Sequence, residues 1–255
     1  MIDMHAHVLP GVDDGPKTIM ESIDIIRKAE EQGITGIIAT PHAYHPQYHV
    51  SKEQVLEEMN VLQTALQERD IAVTLYAGQE IRIHEEIAEN IQKETALSLA
   101  NSKYVLLELP SGQIPAYTIP IIQHILNLDM TPIIAHPERN RAIAEKPSRL
   151  ERLIAHGAVA QITAGSLAGH FGKSIQKTSL QLVEANLIHT YGSDVHHLTT
   201  RPALFNEGLD YLDKQKNHEL VDILLENNAR ILTNDELIIL EPQPVKGKKW
   251  WQLIG

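Results

Sequence analysis

Met1-Ile2-Asp3-Met4-His5-Ala6-His7 reads as a short extended segment that ends in two histidines. Side chains two apart on a strand share a face. His5 and His7 therefore converge, and two converging neutral imidazoles form a chelate for a divalent ion. The rest of the chain repeats this arrangement. Short apolar runs at residues 2–4, 36–40, 73–77, 104–109, 132–135, 159–163 and 189–191 predict strands. Amphipathic runs at 18–32, 52–69, 85–97, 114–128, 148–156, 175–185, 206–215 and 218–231 predict helices. The strands are apolar on nearly every residue, as expected where both faces are buried. Repeated β-then-α units with buried strands make a parallel sheet, open or closed.

The metal-type side chains decide between the two. His7, His42, Glu80, Glu108, His136 and Asp194 each sit at the C-terminal end of a different predicted strand, at intervals of 35, 38, 28, 28 and 58 residues. The last interval holds two units, because the strand ending at Thr163 carries no ligand. Side chains from six strands meet at one point only when the strands surround an axis. That favours an α/β barrel of about seven strands, TIM-like, with a metal site at the C-terminal mouth. An open sheet would spread the same side chains along an edge.

The full candidate set is His5, His7, Asp14, His42, Glu80, Glu108, His136, Asp194 and His196. Taken singly, each has an ordinary explanation. Asp14 in Val12-Asp-Asp-Gly15 could be a turn residue, and an acid after a strand is often a helix N-cap. Taken together, nine coincidences at one end of one architecture are required. His197 would face away from Asp194, whereas His196 shares its face. Five imidazoles and four carboxylates exceed the needs of one ion and suit two or three, with a carboxylate bridging. Arg139 and Arg201 lie three and five residues past His136 and His196, and guanidinium groups there suit bidentate grip on phosphate oxygens.

Composition narrows the function. The 255 residues suit one large α/β domain, and 43% apolar content supplies a core. No run is long enough to span a membrane, and the first strand starts almost at Met1, so no leader and a cytoplasmic location are expected. The absence of cysteine excludes disulfides, thiolate ligands and a Cys nucleophile. A formal charge of −11 makes nucleic acid a poor partner. The run Gly169-His-Phe-Gly-Lys-Ser174 lacks the leading Gly of a phosphate-binding loop, since Leu167 stands there, and is read as the start of a helix. We expect residues 1–240 to form one domain. The tail 241–255, with Lys246, Lys248, Lys249, Trp250 and Trp251, is expected to be a surface terminus, with a docking peptide as the sharper alternative.

His5-x-His7, Thr40-Pro-His42, Gly78-Gln-Glu80, Glu108-Leu-Pro110, His136-Pro-Glu-Arg139 and Ser193-Asp194-x-His196 resemble the motifs of the polymerase and histidinol phosphatase (PHP) superfamily. His136-Pro-Glu-Arg-Asn140 and the run from Thr163 to Lys173 resemble one branch more closely, the bacterial metal-dependent protein-tyrosine phosphatases of capsular and exopolysaccharide synthesis. The resemblance implies a distorted (β/α)7 barrel and three divalent ions, manganese first, with Fe, Zn, Co or Mg as alternatives. It places one ion on His5, His7, Glu80 and Asp194. A second falls on bridging Glu80, Glu108 and His136, and a third on Asp14, His42 and His196. The implied activity is hydrolysis of phosphotyrosine by metal-activated hydroxide, with the tail of a bacterial tyrosine kinase as substrate. A tyrosinate leaving group, of conjugate-acid pKa about 10, departs with little protonation, so the lack of an obvious general acid favours aryl phosphates. The alternatives are a small-molecule phosphomonoesterase such as histidinol phosphatase, and a non-catalytic phosphotyrosine-binding metal module.

Overall fold

The computed structural model describes residues 1–245. Lys246, Lys248, Lys249, Trp250 and Trp251 of the tail lie outside the described residues. The described residues form nine strands: β1 (Ile2–Ala6), β2 (Gly36–Ala39), β3 (His42–Ala43), β4 (Thr74–Ala77), β5 (Glu80–Arg82), β6 (Tyr104–Glu108), β7 (Thr131–Ile134), β8 (Val159–Thr163) and β9 (Thr190–Gly192). Every pairing is parallel, in two sheets ordered β1-β2-β4 and β3-β5-β6-β7-β8-β9. β2 and β3 are successive pieces of one strand path, as are β4 and β5, so seven paths result. The sheets meet again where Ala6 bridges Val195 in parallel. Asp194 N donates to His5 O (2.8 Å) and His7 N to Val195 O (2.9 Å). The expected seven-path curled barrel is therefore present, with its seam between β1 and β9.

That seam explains the distortion. Towards the strands' N-terminal ends a side chain replaces the backbone ladder. Asn228, on the helix His218–Thr233, donates to Ile2 O (2.8 Å) and Tyr191 O (2.6 Å) and accepts from Tyr191 N (3.1 Å). Asp3 accepts from Ser193 N (2.9 Å), and burial pushes its carboxyl up to about 6. Gly192 is needed there, because a Cβ at that position would meet the His5 Cβ at 2.7 Å.

Helices cover the outside. Ile19–Glu31 buries Ile23, Ile25 and Ile26, and its N-cap Thr18 accepts from Glu21 N. Lys52–Gln67 is capped by Ser51, which accepts from Gln54 N. Such caps contribute about 1 kcal/mol each. Ile38, Leu106, Ile133 and Val159, from four strands, pack with Met4 and Tyr104 in one small cluster. Leu106 shares a strand face with Glu108, so this cluster lies beneath the acidic rim. One expected helix is much shorter than its pattern. Residues 85–97 give only Ile87–Gln92, because no side chain caps its start and Glu94 turns left-handed at φ 55°. Gln79 then captures Leu97 N (2.8 Å) and pulls the following chain onto the barrel.

Candidate metal centre

All nine candidate ligands gather at the C-terminal rim. β1 delivers His5 and, one residue past its end, His7; β3 delivers His42, β5 delivers Glu80 and β6 delivers Glu108. His136 and Asp194 follow β7 and β9 in left-handed backbone, at φ 33° and 53°. Non-glycine residues adopt that region at a cost, and here it breaks the strand at the point where the side chain must turn inward.

Three groups emerge whose ligand-type atoms lie within 4.8 Å of one another: His5, His7 and Glu80; His7, Asp14, His42 and His196; and His42, Glu80 and Glu108. Glu80 is central. Its Oε2 lies 3.6 Å from His5 Nε2, 3.3 Å from His7 Nε2 and 3.1 Å from His42 Nδ1. Its Oε1 pairs with His136 Nε2 at 2.7 Å. Asp194 is divided in the same way. Its Oδ2 accepts from Arg139 and from Arg201 (2.7 Å), and its Oδ1 faces His5 Nε2 (3.4 Å) and His7 Nε2 (3.6 Å). Asp14 Oδ1 lies 3.2 Å from His196 Nε2 and 3.4 Å from His42 Nε2. His42 therefore faces two groups, and it, rather than His136, stands with Glu108.

Whether ions fit can be judged from the partnerless atoms. His5 Nε2, His7 Nε2, Asp14 Oδ1, His42 Nδ1, Glu108 Oε2, Asp194 Oδ1 and His196 Nε2 are buried without a hydrogen-bond partner among the described residues. A buried polar atom left unpaired costs about 1–3 kcal/mol. Here the orphaned atoms are nitrogen and oxygen donors that converge on one another, which is the donor set of a divalent-cation cluster.

Electrostatics set the protonation states. Burial pushes the Asp194 carboxyl up, but Arg139, Arg201 and the imidazoles outweigh it and hold the group well below the usual range. Glu80 is likewise held well below by His5, His42 and His136 against the effect of burial. Glu108 is pushed up to about 7 by burial and by its neighbour Glu80. His196 falls to about 4 through burial and the nearby His7. His136 falls to about 4 through burial and Arg139.

Several residues around the cluster were not singled out from sequence. Asp13 accepts from His7 Nδ1 (2.7 Å), from Gly15 N (2.9 Å) and from His42 N (3.1 Å). It fixes the tautomer that leaves His7 Nε2 free, as an acid behind a ligating His does. Gln161 does the same for His5, accepting from its Nδ1 (3.0 Å) and from His136 N (3.2 Å). The strand without a ligand thus supplies a ligand's support. Arg82 lies against Glu108 (3.2 Å), a third guanidinium at the rim. Glu138 accepts from Ser166 Oγ (2.6 Å) and Thr163 N (3.3 Å), anchoring the turn that carries Arg139. Arg139 also stacks over the Phe171 ring, 5.2 Å from its centroid. The cleft above the cluster has a volume of about 290 Å³.

Residues 1–233 match the sequence family described as capsular polysaccharide synthesis, CpsB/CapC. The chain is 43% identical over 249 residues to the tyrosine-protein phosphatase YwqE of Bacillus subtilis, covering 98% of each chain. It is 30% identical over 244 residues to the tyrosine-protein phosphatase CpsB of Streptococcus pneumoniae, covering 93% of this chain and 100% of CpsB. A crystal structure from a study of YwqE and CpsB, described as metal-dependent tyrosine phosphatases, superposes with a TM-score of 0.94 at 43% identity. The match covers 97% of this chain and 100% of that one.

Proposed function

The chain belongs to the CpsB/CapC family of capsular polysaccharide synthesis, and from that premise we propose that it is a metal-dependent protein-tyrosine phosphatase. The single observation that carries this reading is the convergence of partnerless His, Asp and Glu atoms beside two arginines. Three divalent ions, manganese first, are the proposed complement. His5, His7, Glu80 and Asp194 would hold one. Glu80 and Glu108 would hold a second, with His136 bonded to Glu80 and His42 also in reach. Asp14, His42 and His196 would hold the third. When bound, such ions activate water at neutral pH and neutralise phosphate charge.

The chain's own groups do the rest. Arg139 and Arg201 each grip Asp194 Oδ2 through one terminal nitrogen, while the Nε of each has no partner among the described residues. The N–H groups left over suit phosphate oxygens, whose charge grows as the bond to the leaving group stretches. Asp194 thereby orients both arginines and keeps Oδ1 for the cluster. Asp13 and Gln161 hold His7 and His5 with Nε2 forward. Tyrosinate, with a conjugate-acid pKa of about 10, leaves with little protonation.

The proposed substrate is a tyrosine-phosphorylated protein of capsule synthesis, with a bacterial tyrosine kinase tail as the specific candidate. Residues 1–240 act in this reading as one catalytic domain, and 241–255 as a tail. Its first residues pack on the barrel, where Gln243 N donates to Ala185 O (2.8 Å) and Asn186 donates to Glu241 O (2.9 Å). No described helix is long and apolar enough to cross a membrane. The reading is tested by phosphate release from a phosphotyrosine peptide and from histidinol phosphate, before and after chelation. Release from the peptide, lost on chelation and in Asp194→Ala and His136→Ala, is expected. Preference for histidinol phosphate, or full activity in those variants, would overturn it.

A further inference from the structure

The cleft over the cluster is lined almost entirely by charged or strongly polar groups, among them Asp14, Arg82, Glu108, Arg139 and Arg201. One wall differs. His45 and Tyr48, on the loop after β3, present ring surface to the same cleft. The His45 ring lies 4.7 Å from that of His42 at 22°, and the Tyr48 ring 5.6 Å from that of His45 at 20°. Tyr48 and His42 are 5.9 Å apart at 12°. Three nearly parallel rings, each within 6 Å of the other two, thus form one compact aromatic group on a side of the cleft.

The paving is held in place by local bonds. Gln47 N donates to His45 Nδ1 (3.2 Å) and Tyr48 N to His45 O (3.2 Å), which closes the turn. Val50 N returns to His42 O (3.0 Å), and Gln79 Nε2 donates to Val50 O (2.6 Å), which ties the loop's end to the barrel. A surface fixed this way is preorganised, so a ligand ring meets it without ordering the loop first.

We propose that His45 and Tyr48 form an aromatic platform that receives the phenyl ring of the substrate and so selects aryl over alkyl phosphates. This rests on the phosphatase reading and adds to it a determinant of specificity. A phosphoryl group seated beside Arg139 and Arg201 leaves its ester substituent to run outward along the cleft. A flat aryl substituent can lie against Tyr48 and His45 in an offset stack. An alkyl substituent meets the same rings without that gain, and the opposite wall, being ionic, offers it no apolar contact.

The test uses two non-hydrolysable ligands, phenylphosphonate and methylphosphonate, titrated into manganese-loaded protein by calorimetry. The wild type should bind phenylphosphonate more tightly. In Tyr48→Ala the ratio of the two dissociation constants should fall roughly 3–10-fold, the range of one aromatic contact. Tyr48→Phe keeps the ring and should retain the wild-type ratio, and circular dichroism identifies any variant that fails to fold. A ratio unchanged in both Tyr48→Ala and His45→Ala, while the peptide is still hydrolysed, would overturn the platform alone. Binding of neither phosphonate, together with no phosphate release from the peptide, would sink the phosphatase reading and the platform with it.

Discussion

The two ends of this barrel bury histidine in opposite ways. At the N-terminal end His189 sits among Tyr104, Ile154, Val159 and Leu237, beside a cavity of about 210 Å³. Its Nδ1 accepts from Ala160 N (3.1 Å), burial lowers its pKa to about 4, and no other group contributes to that shift. At the C-terminal rim His136 and His196 are lowered to about 4 as well, by burial and then by cationic neighbours. Burial and a depressed pKa are therefore shared by His189, His136 and His196, although the acids around His5 and His7 raise those two. Opposition by acids is what differs. His196 Nε2 faces Asp14 at 3.2 Å and His136 Nε2 meets Glu80 at 2.7 Å, whereas His189 Nε2 faces no acid among the described ion pairs. The lesson is that a buried neutral imidazole marks a site only where acid oxygens converge on it.

The contrast can be broken most severely at the rim. Arg139→Ala removes a guanidinium from the phosphate seat and frees Asp194 Oδ2. A loss of about 10²–10³ in kcat is expected, the range for one preorganised electrostatic donor, with the fold intact by circular dichroism. Steady-state kinetics with a phosphotyrosine peptide measure it, and a change confined to KM would place Arg139 in ground-state binding instead.

A milder break targets the support of the rim. Gln161→Leu removes the acceptor behind His5 Nδ1 while roughly keeping side-chain volume. Metal affinity, read by competition with a chelator, should weaken 10–100-fold, as for other partners that orient ligating histidines. Unchanged affinity would mean that the barrel backbone alone orients His5.

The smallest effect belongs to the other end. His189 has a folded-state pKa of about 4 against an ordinary 6.5, so the unfolded chain binds more protons between those values. Stability is therefore lost as pH falls from 6.5 towards 4. Between pH 7.5 and 5.5 the loss from this residue is about 1 kcal/mol. His189→Asn keeps an acceptor for Ala160 N and removes the titration. Denaturant unfolding at both pH values should show a flatter acid limb for the variant, with hydrolytic activity at pH 7.5 preserved. An unchanged limb would show that His189 titrates in the folded chain as it does in the unfolded one.

The seam shows why part of the architecture was hidden in the sequence. Seven buried apolar runs alternating with amphipathic ones announce a parallel sheet, because both periodicities are local, and the ligand-type residues at the strand ends announce its closure. Nothing local announces that Asn228 replaces a ladder between β1 and β9, since its partners Ile2 and Tyr191 lie 226 and 37 residues away. The short strands His42–Ala43 and Glu80–Arg82 were also missed, because they extend paths already ended by Pro41 and Gly78. At the site, ligand-type residues after strands were visible as a repeated pattern. Gln161 was not, since a glutamine within an apolar run carries no signal of what it supports.

Read alone, the chain determined the βα alternation, the rim as the place of chemistry, and the residue types gathered there. Each follows from short-range periodicity and from the scarcity of so many His and acid side chains at strand ends. Tertiary structure alone decided which oxygen of Asp194 serves the arginines and which faces the imidazoles, how Glu80 is divided between His136 and its neighbours, and that His45 and Tyr48 pave the cleft. Those are relations between side chains far apart in sequence, set by closure of the barrel, and the direction of a single oxygen or ring plane is not encoded in any local pattern.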